Sequence, residues 1–299
     1  MAAAITAGLA ARLLLPNHAA TACLLALAAA TSCILGLLTL ARDDRRAARI
    51  LCPTLFGLAV IWVWEMAVVG FSVPFILLPP PSAIALALWN NAATLAGDFD
   101  QTFLHAVLAG YAIGCGAGFL TALAIDRSRF LQAGLTPVAN MVSAMPVVGI
   151  APIAIEWLGF DWPSKAAVVA LMTFFPMLVN TTAGLAQSGA MERDLMRSYG
   201  ASYLRTLIKL RLHAALPMIF NALKLNSTLA VIGAVVAEFF GTPTRGMGFR
   251  ISTESARMNL DIVWATIAVA ALAGSLSFGL IAALEQKVTF WHPSFHKRL

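Results

Sequence analysis

Glu192-Arg-Asp-Leu-Met-Arg-Ser-Tyr-Gly200-Ala-Ser-Tyr-Leu-Arg-Thr-Leu-Ile-Lys-Leu-Arg-Leu212-His-Ala-Ala-Leu-Pro217 is a charged island between two long apolar runs. Leu195, Tyr199, Leu204, Leu207, Ile208 and Leu212 recur every three to four residues, with Arg193, Arg197, Arg205, Lys209 and Arg211 largely between them. That period reads as helix, and Gly200-Ala-Ser202 interrupts it where Ser202 can N-cap a second helix. The stretch is therefore a short helix, a turn and a second helix that enters an apolar span at Pro217. A segment so charged has to face water. On the residues alone two roles stay open for it: an amphipathic element pressed into the groove of a soluble partner, or a basic surface held against lipid headgroups.

The runs on either side decide the fold class. Crossing ~30 Å of hydrocarbon takes about 20 apolar residues, and such runs fall at roughly 19–41, 51–72, 102–125, 131–157, 164–187, 217–240 and 261–284. With 60% hydrophobic and 11% charged residues and a mean hydropathy of +0.83, no soluble domain of useful size remains. The expected fold is all-α, a polytopic helical bundle in a membrane. The first run exceeds the 7–15 residues usual for a signal-peptide core and ends at Arg42, Arg45, Arg46 and Arg49, so it reads as an uncleaved anchor.

The net charge of +6 is distributed by topology, which argues against a nucleic-acid partner. Arg42–Arg49, Arg127 and Arg129, the basic residues from Arg193 to Arg211, and Lys287, Lys297 and Arg298 follow the odd-numbered spans. The positive-inside rule places those connections in the cytoplasm, giving an outer N-terminus and a cytoplasmic C-terminus in the inner membrane.

Local punctuation follows. Leu77-Leu-Pro-Pro-Pro-Ser82 stops a helix, and residues 83–97 read as one amphipathic helix on the outer surface. Gly110, Gly114 and Gly118 share a helix face and suit close intramembrane packing. Pro137, Pro146 and Pro152 break or kink the fourth span. Asp161 or Ser164 can cap the fifth. Between spans six and seven, Gly241-Thr-Pro-Thr-Arg245-Gly246-Met-Gly248 leads into a plausible short outer helix containing Arg250.

Catalytic signatures are missing: there is no P-loop, no H-E-x-x-H and no G-x-S-x-G. The 4 cysteines have no C-x-x-C spacing, so they read as small core residues and not as metal ligands. Polar residues inside the spans are the better candidates. Asn221, Lys224 and Thr228 fall within about 60° of one another on one helix face, and Glu238 lies further along. Charge in a membrane helix is expensive and should meet protein or a water-filled cavity. That stripe reads as a solute pathway, or as interhelical bonding with Lys224 snorkelling to the surface. Asn140, Ser143 and Asn180 are further pathway candidates. Glu65, Glu156 and Glu238 near outer span ends suit solvated or capping roles, and His105 an ordinary hydrogen bond.

The island also resembles the EAA loop of ABC-importer permeases, the inner-membrane components of binding-protein-dependent transport. Asp194-Leu195-Met196 stands at the E-A-A position, Gly200 and Ala201 at the glycine turn, and Leu210-Arg-Leu212 at the I-x-L. His213 occupies the place of the proline, which arrives one turn later as Pro217. Trp64-Glu65, Leu78-Pro79, Ser143-Ala-Met-Pro146, Phe174-Phe-Pro176, Val236-Ala-Glu238 and Gly246-Met-Gly248 extend the likeness to the nitrate, sulfonate and taurine branch. Phe175–Asn180, Ala237–Gly241 and Phe290–Ser294 are most similar to permeases for thiamine-precursor pyrimidines or related heterocycles.

The resemblance implies a type I importer transmembrane domain over residues 51–299, with its coupling loop at 190–217. An extra span and basic linker would occupy 1–50. It further implies a homodimer, a cytoplasmic ATPase subunit that carries ATP and Mg while this chain carries no cofactor, and a periplasmic or lipid-anchored solute-binding protein. That protein would dock at Arg245, Gly246, Gly248 and Arg250. An ion-coupled secondary transporter is the alternative, but no inverted repeat is visible in the sequence. A non-transporting membrane scaffold is the other.

Overall fold

The computed structural model describes residues 46–128, 134, 147–241 and 244–291. The expected first span and Pro137, Asn140, Ser143 and Pro146 of the fourth lie outside the described residues. Among those described, every regular element is helical. Five helices are long and apolar enough to cross a membrane, and Gly149–Leu158 is a shorter apolar one.

The chain divides into two units. The first holds the described residues up to Ala92 together with Glu254–Ala265. In it, α1 (Arg46–Gly70) ends before the proline run, and α2 (Pro81–Asn90) starts on Pro81. Proline suits that first helical position because its missing N–H would have had no partner there. Glu65 of α1 then accepts hydrogen bonds from the Ser82 backbone N–H at 2.9 Å and hydroxyl at 2.8 Å. A carboxylate at the start of α2 also meets the positive end of its dipole, so Glu65 takes the capping role expected of it. Trp64 packs edge-on to Trp264 at 5.2 Å.

The second unit comprises Ala93–Thr253 and the residues from Thr266 onward. Its helices are α3 (Ala92–Asp126), α4 (Val147–Leu158), α5 (Trp162–Ala186), α6 (Ala190–Ser198), α7 (Tyr203–Glu238), α8 (Met247–Ala256) and α9 (Leu260–Val288). The first residue of α3, the last three of α8 and the first six of α9 belong to the other unit. Among the described residues, two helices contain a π segment, Asp100–Val107 in α3 and Leu207–Arg211 in α7.

The expected single surface helix over 83–97 is corrected. Asn91 closes α2, with its side-chain amide on the Ala87 carbonyl at 3.0 Å, and residues 92–99 belong to the long helix α3. Likewise α7 is continuous from Tyr203, so Pro217 lies within it.

α5 is the central helix. Gly110, Gly114 and Gly118 of α3 lie against it: a Cβ on Gly110 would sit 2.5 Å from the Ala166 carbonyl, and one on Gly118 2.5 Å from that of Phe174. Lipid provides no hydrophobic drive between spans, so such close backbone approach, with its dispersion contacts, holds them together. On its other side α5 meets α7. The buried Asn226 of α7 donates to the Thr173 carbonyl at 2.7 Å, and Tyr111 of α3 donates to Leu223 of α7 at 3.0 Å. Asp161 caps α5, accepting the Trp162 N–H at 2.8 Å.

Candidate functional site

Two ends of the second unit, and one face of α7 between them, hold the residues singled out in the sequence. At the first end, α6 stops in a glycine turn. Gly200 has φ +66°, and Ala201 N–H reaches the Met196 carbonyl while Gly200 N–H reaches that of Arg197. This pair of bonds is the Schellman closure, which needs a left-handed residue after the cap. Ser202 stands at the N-cap of α7 as expected, but its side chain makes no capping bond.

The apolar stripe of the island divides in two. Leu207 is buried and Leu212 packs with it against Cys115, Met177 and Ile219. Met191, Leu195, Tyr199, Leu204 and Ile208 stay exposed, Met191 and Tyr199 by 85% and 80%. α6 buries none of its residues. Asp194 pairs with Arg197 of the same helix at 3.3 Å, both side chains being exposed. His213 folds back: its Nδ1 lies 2.9 Å from the Ile208 carbonyl, five residues earlier. The π segment displaces that carbonyl from the usual α-helical ladder, and the imidazole serves it. The same ring tilts against Trp291 at 5.9 Å. In the other π segment His105 is placed likewise, 3.1 Å from the Asp100 carbonyl.

At the opposite end, three successive backbone N–H groups leading into α8 are each taken by a side-chain oxygen. Gly246 donates to Asp98 at 2.9 Å, Met247 to Thr102 at 2.8 Å and Gly248 to Glu238 at 2.6 Å. Thr102 in turn donates to Glu238 at 2.7 Å, and Arg250 binds Asp98 at 2.7 Å. Asp98, Thr102 and Glu238 are buried. Acidic groups at a helix N-terminus satisfy donors that the helix itself cannot. The glycines are required by space: a Cβ on Gly246 would sit 2.7 Å from the Glu238 carboxyl carbon, and one on Gly248 2.8 Å from Glu238 Cβ. Arg245 is exposed at the tip. The nearby Lys165 is buried, donates to the Phe160 carbonyl and interacts electrostatically with Glu238 and Asp161.

Along α7, Asn221 is exposed, and Thr228 bonds the Leu225 carbonyl of its own helix. Lys224 donates to Glu285 of α9 at 2.6 Å. Asn180 turns onto the Pro176 carbonyl, four residues back in α5, at 2.8 Å. A proline lacks the N–H but not the carbonyl, so Asn180 adds a second partner to a group already inside the helix. Glu238 therefore joins the α8 cluster, while Asn221, Lys224 and Thr228 keep to the α7 face. Sequence reasoning passed over Asp98, Thr102, Asp126 and Glu285. The available signal was their cost: a carboxylate within or beside a span needs a partner, and Arg250, Arg211 and Lys224 were the cations in reach.

A model of the family described as "Binding-protein-dependent transport system inner membrane component" matches residues 110–290, more than half of the chain. The chain belongs to this family. It is 32% identical over 221 residues, 74% of its length and 89% of the relative, to a probable ABC transporter permease protein of Haemophilus influenzae. It is 30% identical over 247 residues, 83% of its length and 98% of the relative, to the formylaminopyrimidine transport permease protein ThiX of Halalkalibacterium halodurans. To the taurine transport system permease protein TauC of Escherichia coli it is 26% identical over 252 residues, 80% of its length and 88% of the relative. This permease is thus a multi-pass membrane subunit of the ABC-transporter class and of the nitrate, sulfonate and taurine branch. The relatives are named as transport permeases.

Proposed function

We propose that this chain is the permease subunit of an ATP-driven importer that carries a small polar solute across the cytoplasmic membrane by alternating access. Two copies form the pathway. A periplasmic or lipid-anchored binding protein delivers solute, and two ATPase subunits supply ATP and Mg. The observation that carries this reading is the exposed apolar set Met191, Leu195, Tyr199, Leu204 and Ile208 around the Gly200 turn. Apolar side chains exposed on an otherwise charged element mark an interaction surface, and in a chain of this permease family a protein groove is the occupant that fits it. Asp194, Leu195, Met196, Gly200, Ala201, Leu210, Leu212 and Pro217 belong to that coupling element.

Asn221, Lys224 and Thr228, with Asn140, Ser143, Asn180 and Glu238, line or support the solute pathway. The loop carrying Arg245, Gly246, Gly248 and Arg250 receives the binding protein, with Arg245 at its surface and the others fixing its shape. Residues 51–299 make up the transmembrane domain, and 1–50 an added span with a cytoplasmic basic linker. The names of the relatives support a formylaminopyrimidine-like heterocycle first and a sulfonate second, and a nitrate-type anion is a further class within the proposal. Purification should retain an ATPase subunit, and proteoliposomes holding the complex should take up solute only with ATP inside and loaded binding protein outside. Uptake by the chain alone, driven by a proton or sodium gradient, would overturn the reading in favour of secondary transport.

A further inference from the structure

One guanidinium fastens three helix ends at the base of the bundle. Arg211 Nη1 and Nη2 each donate to Asp126, the last residue of α3, at 2.6 Å. Its Nε and Nη2 also donate to the Leu185 carbonyl near the end of α5, at 3.3 and 3.2 Å. Tyr203 adds a hydroxyl bond to the same Asp126 oxygen that Nη1 uses, at 2.7 Å, and the Arg127 guanidinium lies 5.4 Å from the Tyr203 ring centroid. The Asp126–Arg211 pair is largely shielded, with side chains 11% and 15% exposed. Bidentate arginine–carboxylate pairing fixes direction as well as distance.

The π segment makes this convergence possible. Tyr203 and Arg211 stand eight residues apart, which on a regular α-helix leaves them about 80° apart around the axis. The residue inserted by the π turn takes back about 100°, bringing both side chains to one face. α6 buries no residue fully, and only Arg193 and Met196 are half-buried, so its own packing gives it a weak grip on the bundle. Among the described residues, a displacement of α6 therefore passes mainly through the chain on either side, by Ser188–Gly189 into α5 and by Gly200–Ser202 into α7. The clamp joins those two exits and adds α3.

We propose that Asp126, Arg211 and Tyr203 form the transmission joint of this permease: they make the ends of α3, α5 and α7 move as one block when α6 is displaced. This rests on the reading that α6 docks an ATPase. Without the joint, the ends of α5 and α7 splay, and the displacement is absorbed at the base. These are positioning residues, touching neither solute nor nucleotide.

The test uses the complete complex of permease, ATPase and binding protein in proteoliposomes. Two variants are compared with wild type: D126L/R211M, which removes both charges together so that none is left buried alone, and D126N, which keeps the shape of the side chain. Both should retain the ATPase and show basal ATP hydrolysis within twofold of wild type. The half-saturating concentration of loaded binding protein should not change. The maximal stimulated hydrolysis and uptake should fall at least tenfold in the double variant and at least threefold in D126N. Uptake within twofold of wild type in the double variant overturns the joint. So does loss of the ATPase from both variants, or a raised half-saturation with an unaltered maximum, since either makes the clamp a matter of shape or docking. If the wild-type complex itself holds no ATPase, the functional reading fails and the joint falls with it.

Discussion

Lys224 of α7 donates to Glu285 of α9 at 2.6 Å, which joins the candidate pathway helix to the last span one turn before that span ends. Removing one partner leaves the other charge in a poorly hydrated place, and the loss falls at or below the low end of the ~3–5 kcal/mol seen for buried pairs, because both side chains keep some exposure. K224M and E285L should each lower the thermal unfolding midpoint in detergent. The double variant should recover most of it. Equal midpoints for wild type and both single variants would contradict a stabilising pair.

Thr102 accepts from Met247 and donates to Glu238. Thr102→Val keeps the volume but strands a buried N–H, and an unsatisfied buried group costs about 1–3 kcal/mol. Hydrogen exchange at the amides of residues 246–250 should accelerate several-fold, with uptake requiring more binding protein to saturate. Unchanged exchange there would show that the cluster does not hold α8.

Two neighbouring glycines of α3 should answer oppositely to the same substitution. A Cβ on Gly114 would lie 2.8 Å from Ala170 Cα, whereas one on Gly116 meets nothing within 4 Å among the described residues. Gly114→Ala should therefore spread α3 from α5 and destabilise by about 1–3 kcal/mol. Gly116→Ala should be neutral, or stabilising by up to about 1 kcal/mol through helix propensity. Comparable unfolding midpoints for the two variants would contradict the close approach.

Several of these features were legible in the sequence, and the reasons differ. The water-facing island, the Gly200 turn and the glycine face of α3 each rest on a local rule: charge excluded from lipid, a left-handed cap, small residues at every fourth position. The π segments could not be read, because the phase shift of about 100° that one inserted residue makes falls within a stretch holding too few apolar positions to reveal it. Their clue was His213, in the proline's place, whose ring serves the displaced Ile208 carbonyl. Partnerships such as Asp98 with Arg250 join residues 152 apart, and no local pattern encodes that distance. Glu238 was legible as costly and as a possible cap, but not which backbone it would hold.

Coupling through the Gly200 turn is the central claim, and Gly200→Val tests it most directly. The residue needs a left-handed backbone, which costs an L-residue roughly 1–2 kcal/mol and a β-branched one more, while a Cβ there meets nothing within 4 Å among the described residues. The substitution thus acts on the angle between α6 and α7 and leaves packing alone. Solute-stimulated ATP hydrolysis by the complex should fall to its basal rate, or the ATPase should be lost altogether. Stimulated hydrolysis and uptake equal to wild type would contradict the coupling role.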